Sequence, residues 1–228
     1  MSSFRWKGVE ETKITQKLSI DFVVSDDMHE KAVLVLLAAG FHYCKAGPGC
    51  ILHRSFANKP VSAAHLHLDR HRPLRLYKQS EILWAYPTLP TEKPEADSLH
   101  YILGNDPRLR EQKKGFPPCC GRYYDSLHPV KMPHPTKLVE ALIFLVCRDQ
   151  DPNPEIPGYE SVWFLWYMHL LMYVGESGLL LPDQLDPQFL PVWNEARYDK
   201  GNPGRRLRSI KRLQATLWGL QALPQKVR

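Results

Sequence analysis

The feature that most constrains this chain is a change of hydrophobic period partway along it. In the front half, apolar and polar residues alternate in short runs such as Ala63-Ala64-His65-Leu66-His67-Leu68-Asp69 and Leu74-Arg75-Leu76-Tyr77-Lys78. A period of two puts successive side chains on opposite faces of a strand. From Pro135 the period disappears: Leu138 to Val146 is apolar nearly all round, which fits a helix buried on most sides. A second helix is expected over Glu160–Val174, dense in Trp163, Phe164, Trp166 and Tyr167, and Leu207, Ile210, Leu213, Leu217 and Leu220 keep helical spacing near the end. Strands in front and helices behind imply an α+β fold, with a mixed sheet over residues 1–134 and a helical region over 135–228 packed on it as one unit.

The front half opens with a strand–helix–strand unit. Leu18–Val24 alternates and is β-branched. Ser25, Asp26 or Asp27 is placed to cap a helix over Met28–Ala39, and Gly40 stands where such a helix stops. Val33, Leu36 and Leu37 give that helix a core face, which Ala32 and Leu34 widen. Cys44–Pro60 reads as loop, and Arg70–Pro73 as the turn between two strands, the alternation of the second running on to Ile82. Residues 102–121 read as irregular, ending in the vicinal loop thiols Cys119 and Cys120.

Composition narrows the class. Over 228 residues, 43% are hydrophobic and 24% charged, so the chain has material for a real core. It lacks any run of about 18 apolar residues, so no membrane span is expected. Its first residues hold no apolar signal region, and five cysteines at irregular spacing suit reduced thiols, so a cytoplasmic setting is expected. The net charge of +6 is unevenly placed: Arg197–Arg228 holds nine Lys/Arg against one Asp, leaving the remaining chain at −2. Arg205, Arg206, Arg208, Lys211 and Arg212 lie opposite the leucine stripe, a cationic rim suited to phosphates; an ordinary solvated face is the competing reading.

Several side chains are chemically eligible. His65 and His67 share one strand face and can act as acid and base near neutral pH, or sit there as ordinary sheet histidines. A zinc set is not expected, because the nearest thiols, Cys44 and Cys50, lack CxxC spacing. Glu140 inside an apolar helix needs a cation, from a ligand or from the protein itself. Ser80 is a candidate nucleophile without a Gly-x-Ser-x-Gly elbow. Arg148 and Asp149 at the end of the apolar helix fit capping and dipole effects.

Two resemblances follow from these residues. Ser19-Ile20-Asp21-Phe22-Val23-Val24 with Gly40-Phe41 resembles the strand and helix end of small nucleotidyltransferases, except that Ser19 replaces the first metal-binding carboxylate and no Gly-Ser phosphate loop precedes it. The resemblance therefore implies a nucleotidyltransferase-like sheet whose metal chemistry is lost, unless Asp69 completes a metal set. A wider pattern spans most of Leu18–Asp149. It runs Ala38-Ala39-Gly40-Phe41, Ala64-His65-Leu66-His67-Leu68, Leu76-Tyr77-Lys78-Gln79-Ser80-Glu81-Ile82-Leu83-Trp84, Asp106-Pro107-Arg108-Leu109, Glu140-Ala141-Leu142 and Cys147-Arg148-Asp149. It resembles the fungal arginine-containing cyclodipeptide synthases, which join arginine to a second amino acid from two aminoacyl-tRNAs. That resemblance implies an aminoacyltransferase that needs no cofactor and no metal. It implies His65, His67, Ser80 and Tyr77 as catalytic candidates, and Asp21, Glu140, Lys78, Trp84, Arg148 and Asp149 on the substrate side. The cationic rim would meet arginyl-tRNA and its partner tRNA. The alternative is a nucleotidyltransferase-fold protein without catalysis that binds nucleic acid or another acidic partner.

Overall fold

A computed structural model describes residues 20–50, 62–69, 72–90, 92–111, 122–127, 130–149, 162–174, 177–198 and 203–224. The expectations for Leu18, Ser19, residues 51–60, Cys119 and Cys120 lie outside the described residues. Strand β1 (Ile20–Val24) leads through a 3-10 turn (Asp26–Met28) into helix α1 (His29–Ala38). Helix α1 ends where the sequence places the stop. Gly40 at φ 90 bonds Leu37 O and Phe41 N–H reaches back to Leu36 O, the paired arrangement that closes a helix on a left-handed glycine.

Strands β2 (His42–Tyr43), β3 (Ala64–His67) and β4 (Pro73–Lys78) join β1 in a four-stranded sheet of order β1-β4-β3-β2. Strand β4 runs parallel to β1, while β3 is antiparallel to both its neighbours, so the front half does carry a small mixed sheet. The alternation seen in the sequence does not continue to Ile82: Gln79–Ile82 forms a short helix, α2.

The faces of the sheet separate cleanly. Ala64 and Leu66 of β3 and Leu74 and Leu76 of β4 pack against Val33, Ala32, Leu36 and Leu37 of α1, forming a small core of their own. Leu34 does not join it; it is 65% exposed, on the outer side of α1. No side chain caps α1, because Asp26 is turned elsewhere.

A two-stranded sheet, not foreseen from the sequence, pairs β5 (Tyr101–Leu103) with β6 (Lys131–Pro133). Its strands are three residues each, too short for periodicity to show. The helical half follows as α3 (Pro135–Asp149), α4 (Val162–Val174), α5 (Leu190–Tyr198) and α6 (Pro203–Gly219). Trp163, Tyr167, Phe189, Trp193, Val139, Ile143, Leu145 and Leu217 fill the larger core, joined by Tyr77 from the sheet. No helix among the described residues is long and apolar enough to cross a membrane.

Candidate functional site

The sheet face turned away from α1 carries the chemistry. Its register sets a polar row across the strands: Asp21 of β1 lies opposite Arg75 of β4, which lies opposite His65 of β3. Cys44, just past β2, donates its N–H to His65 O at 3.1 Å and extends the row. One residue pair further, His67 faces His42. The two-residue period puts His65 and His67 on that same face, where their rings stack with centroids 4.9 Å apart.

Asp21 accepts from Arg75 Nη1 at 3.3 Å, and that guanidinium is only 4% exposed. A buried cation of this kind requires a counter-charge, and Asp21 supplies it. Glu140 is held in the same way. Lys137 Nζ is 2.9 Å from both of its oxygens, and the Asp186 N–H donates to Oε1 at 2.9 Å. Both carboxylates expected to grip a substrate arginine are thus engaged by the protein's own donors. Asp69, the residue weighed as completing a metal set, folds back on Arg72, whose Nε lies 2.6 Å from Oδ2.

Arg148 and Asp149, expected on the substrate side, are turned toward each other. They lie inside, with side chains 2% and 0% exposed, as the centre of a buried polar network. Arg148 grips Asp149 with two N–H groups at 2.7 and 2.9 Å and donates to Glu81 O at 2.6 Å, while Trp163 Nε1 donates to Asp149 Oδ2 at 2.7 Å. Trp84 joins this network: its ring carries the Arg148 guanidinium 4.9 Å from the centroid, and its Nε1–H reaches Ala222 O. The reason is electrostatic: a cation and an anion at the end of an apolar helix are tolerated inside only when they pair and their hydrogen-bonding sites find partners.

The exposed chemistry gathers at the carboxyl ends of the parallel pair β1 and β4. Ligands in sheets of this kind commonly sit outside the carboxyl ends of parallel strands. Ser80 Oγ donates to Asp26 Oδ2 at 2.5 Å and Ser80 N–H to Oδ1 at 3.0 Å. Asp26 is read from the sequence only as a cap of α1; the structure turns it across to α2. The Ser80 hydroxyl and then its N–H, with further help from the Lys78 charge, hold the Asp26 carboxyl below the usual carboxylate range. Lys78 closes β4, opposite Val24 at the end of β1. Tyr77, by contrast, points inward at 2% exposure, and burial drives its hydroxyl well above the usual phenol range. Of the two hydroxyl candidates, Ser80 is the one open to solvent, and it is hydrogen-bonded to Asp26.

Helix α6 docks through the middle of its stripe, with Ile210, Leu213 and Leu217 buried, Leu207 half-buried, and Arg205, Arg208, Lys211 and Arg212 exposed; Leu220, expected to continue the stripe, lies past the helix end and is 68% exposed. Arg206 departs from the rim: it is half-buried and lies over the Phe164 ring, 4.4 Å from the centroid. Leaving water lowers its pKa. Comparison with family models, curated proteins and solved structures finds no match to the chain.

Proposed function

We propose that the chain is a tRNA-dependent aminoacyltransferase that makes a cyclic dipeptide of arginine and a second amino acid, on a nucleotidyltransferase-like sheet without the metal chemistry of that fold. The resemblance over Leu18–Asp149 suggests the reaction. The observation that carries the reading in this structure is the exposed Ser80 hydroxyl, bonded to Asp26 beside Lys78 at the carboxyl ends of β1 and β4.

In this reading Ser80 Oγ attacks the ester carbonyl of the first aminoacyl-tRNA. Its proton passes to the departing ribose oxygen, and the aminoacyl group rests on Ser80 as an ester. The amine of the second aminoacyl-tRNA then forms an amide with that carbonyl and Ser80 recovers its proton. The free amine of the first residue closes on the second ester, releasing the second tRNA and the diketopiperazine. Asp26 orients the hydroxyl; its lowered pKa suits a hydrogen-bond acceptor rather than a strong base. Arg205, Arg208, Lys211 and Arg212 offer phosphate contacts that set affinity without reading sequence.

A second reading, a partner- or nucleic-acid-binding module without catalysis, is favoured by the engagement of Asp21 with Arg75 and of Glu140 with Lys137. One experiment separates the two. The protein and its Ser80→Ala variant are expressed in a host that makes no such products, and extracts are searched by mass spectrometry for cyclic arginyl dipeptides. Product from the parent and a loss of at least roughly 100-fold in the variant is expected for a covalent nucleophile. Soluble protein that yields no product while still binding tRNA overturns the catalytic reading in favour of the binding module.

A further inference from the structure

Among the described residues, Cys44, Cys50, His65 and His67 bring their ligand atoms to within 4.8 Å of one another. We propose that these four side chains form a structural zinc site that fastens the β2 edge and the turn after it to β3. Such a site stands whether or not the reaction proposed above takes place.

The local sequence builds the site from two directions. On β3 the two-residue period aims His65 and His67 at one face, and Leu66 between them is fully buried on the other. On the opposing side, Cys44 lies across from His65, and the chain turns back immediately. Gly47 N–H bonds Cys44 O, and a 3-10 turn over Gly47–Gly49 brings Cys50 N–H to Gly47 O. Gly47 sits at φ 49, a left-handed conformation that residues with a side chain rarely adopt. This turn returns Cys50 to the histidines, with its Sγ 3.6 Å from His67 Nε2. From sequence alone these thiols are discounted because they are not spaced as CxxC. The glycine turn makes the interval from Cys44 to Cys50 equivalent, by folding the chain back across the sheet edge.

Distances and chemistry point to the same ion. Ligand atoms around a tetrahedral zinc stand about 3.3–3.8 Å apart, given bonds of ~2.3 Å to sulfur and ~2.0–2.1 Å to nitrogen. The 3.6 Å sulfur–nitrogen separation already lies in that range, and a 4.8 Å outer limit leaves about an ångström of closure. Two thiols and two imidazoles are a borderline-soft set that selects zinc over magnesium or calcium. Four protein ligands fill the tetrahedron, so the site is closed and structural rather than catalytic. Binding replaces the two thiol protons with two Zn–S bonds and releases both protons to solvent.

The placement has a structural rationale. Strand β2 is only two residues long and exposed, and the core beneath this sheet is small. A metal crosslink between the edge and β3 supplies what so little apolar surface does not. It also assigns a ring nitrogen of His65 and one of His67 to the metal and removes both rings from acid–base catalysis, leaving the exposed chemistry to Ser80 and Asp26.

The test uses the full chain, purified under reducing conditions without chelator from cells grown in zinc. About one zinc per chain by elemental analysis is expected, together with release of roughly two protons when the reduced apoprotein is titrated with zinc. Cobalt(II) added to the apoprotein is expected to give thiolate charge-transfer and tetrahedral ligand-field absorption. Cys50→Ser and His67→Asn each lower metal affinity at least about tenfold, and chelation lowers the parent's melting midpoint by roughly 5 °C or more. Chelation of the parent keeps the test decisive if a variant fails to fold. The proposal is overturned if the reduced, folded parent holds less than about a tenth of an equivalent and gives no cobalt–thiolate spectrum. It is equally overturned if intact mass shows a Cys44–Cys50 disulfide and the reduced form takes up no zinc.

Discussion

Replacing Asp149 by Ala tests the buried network most directly. The carboxylate is 0% exposed and accepts from Arg148 Nε at 2.7 Å, Arg148 Nη2 at 2.9 Å and Trp163 Nε1 at 2.7 Å. Removing it strands a guanidinium whose side chain is 2% exposed, a change that costs about 3–5 kcal/mol when one partner of a buried pair is removed. The orphaned indole N–H adds about 1–3 kcal/mol, although the two costs overlap because both arise from loss of the same carboxylate. A decrease near 4 kcal/mol is therefore expected, a large share of the roughly 5–15 kcal/mol that domains typically have. For a chain of this size that is a fall of about 8–16 °C in melting midpoint, or roughly 1.5 M in urea midpoint. The double replacement Arg148→Met with Asp149→Leu removes both charges and fills the space, so it should recover at least about 2 kcal/mol of the single variant's deficit. Urea titration followed by tryptophan fluorescence and far-UV circular dichroism reads both. A single-variant deficit below about 1 kcal/mol, or a double variant no better than the single, would refute the assignment of this pair as an interdependent buried unit.

Three further outcomes are expected. Changing Arg208, Lys211 and Arg212 together to Gln should weaken tRNA binding and flatten the dependence of log affinity on log salt by roughly 0.7–0.9 for each phosphate that no longer meets a cation, read by filter binding across a salt series; an unchanged slope would make α6 an ordinary solvated face. Ser80→Ala should raise the titration of Asp26 toward the ordinary carboxylate value of about 3.9, as followed by carboxyl NMR; because the folded-state pKa is the lower one, the stabilisation from this hydrogen bond is present above that value and fades as pH falls through the folded pKa. His134 is 3% exposed, and burial and then the Arg108 charge, only partly offset by Asp106, depress its pKa. The unfolded chain therefore binds the proton more readily, so stability should fall as pH drops below about 6.5, and His134→Asn should flatten that decline in urea midpoints taken between about pH 5 and 7.

What the sequence made legible follows the length of each signal. Strand β4 and helices α1, α3, α4 and α6 are long or strongly periodic, and Gly40 marks a stop that its positive φ explains. Strands β5 and β6 are three residues each, and α5 is broken by polar and aromatic residues, so none of them leaves a period to read. The extension of β4 to Ile82 fails because Asp26, remote in sequence, accepts the Ser80 N–H and so stabilises a helical turn where alternation alone predicts strand. Leu34 is apolar yet exposed, because the sheet offers α1 only the width covered by Val33, Leu36 and Leu37. Among the site residues, the positions of His65 and His67 on one face are legible from alternation, whereas the approach of Cys50 depends on the Gly47 turn and that of Asp26 on strand pairing. Neither has a local signature.

Strand β4 decides how these parts act on one another. Its even positions, Leu74 and Leu76, belong to the small core under α1, while Tyr77 belongs to the large helical core and Arg75 to the polar row. One strand is thus the shared wall of two cores, and it ends at Lys78, two residues before Ser80. A perturbation that loosens the sheet on the His65 side must travel through β3–β4 pairing before it reaches Ser80, whereas one in the Arg148 network acts through Glu81 and α2, immediately beside it. Removing the metal should therefore lower stability with little effect on the hydrogen bond between Ser80 and Asp26. Removing the Asp149 carboxylate should disturb both stability and the Ser80 site. Asp26 titration measured in a chelated sample and in Asp149→Ala separates these routes: a shift on chelation equal to that in Asp149→Ala would mean that the sheet and the helical half melt as one, and that β4 insulates nothing.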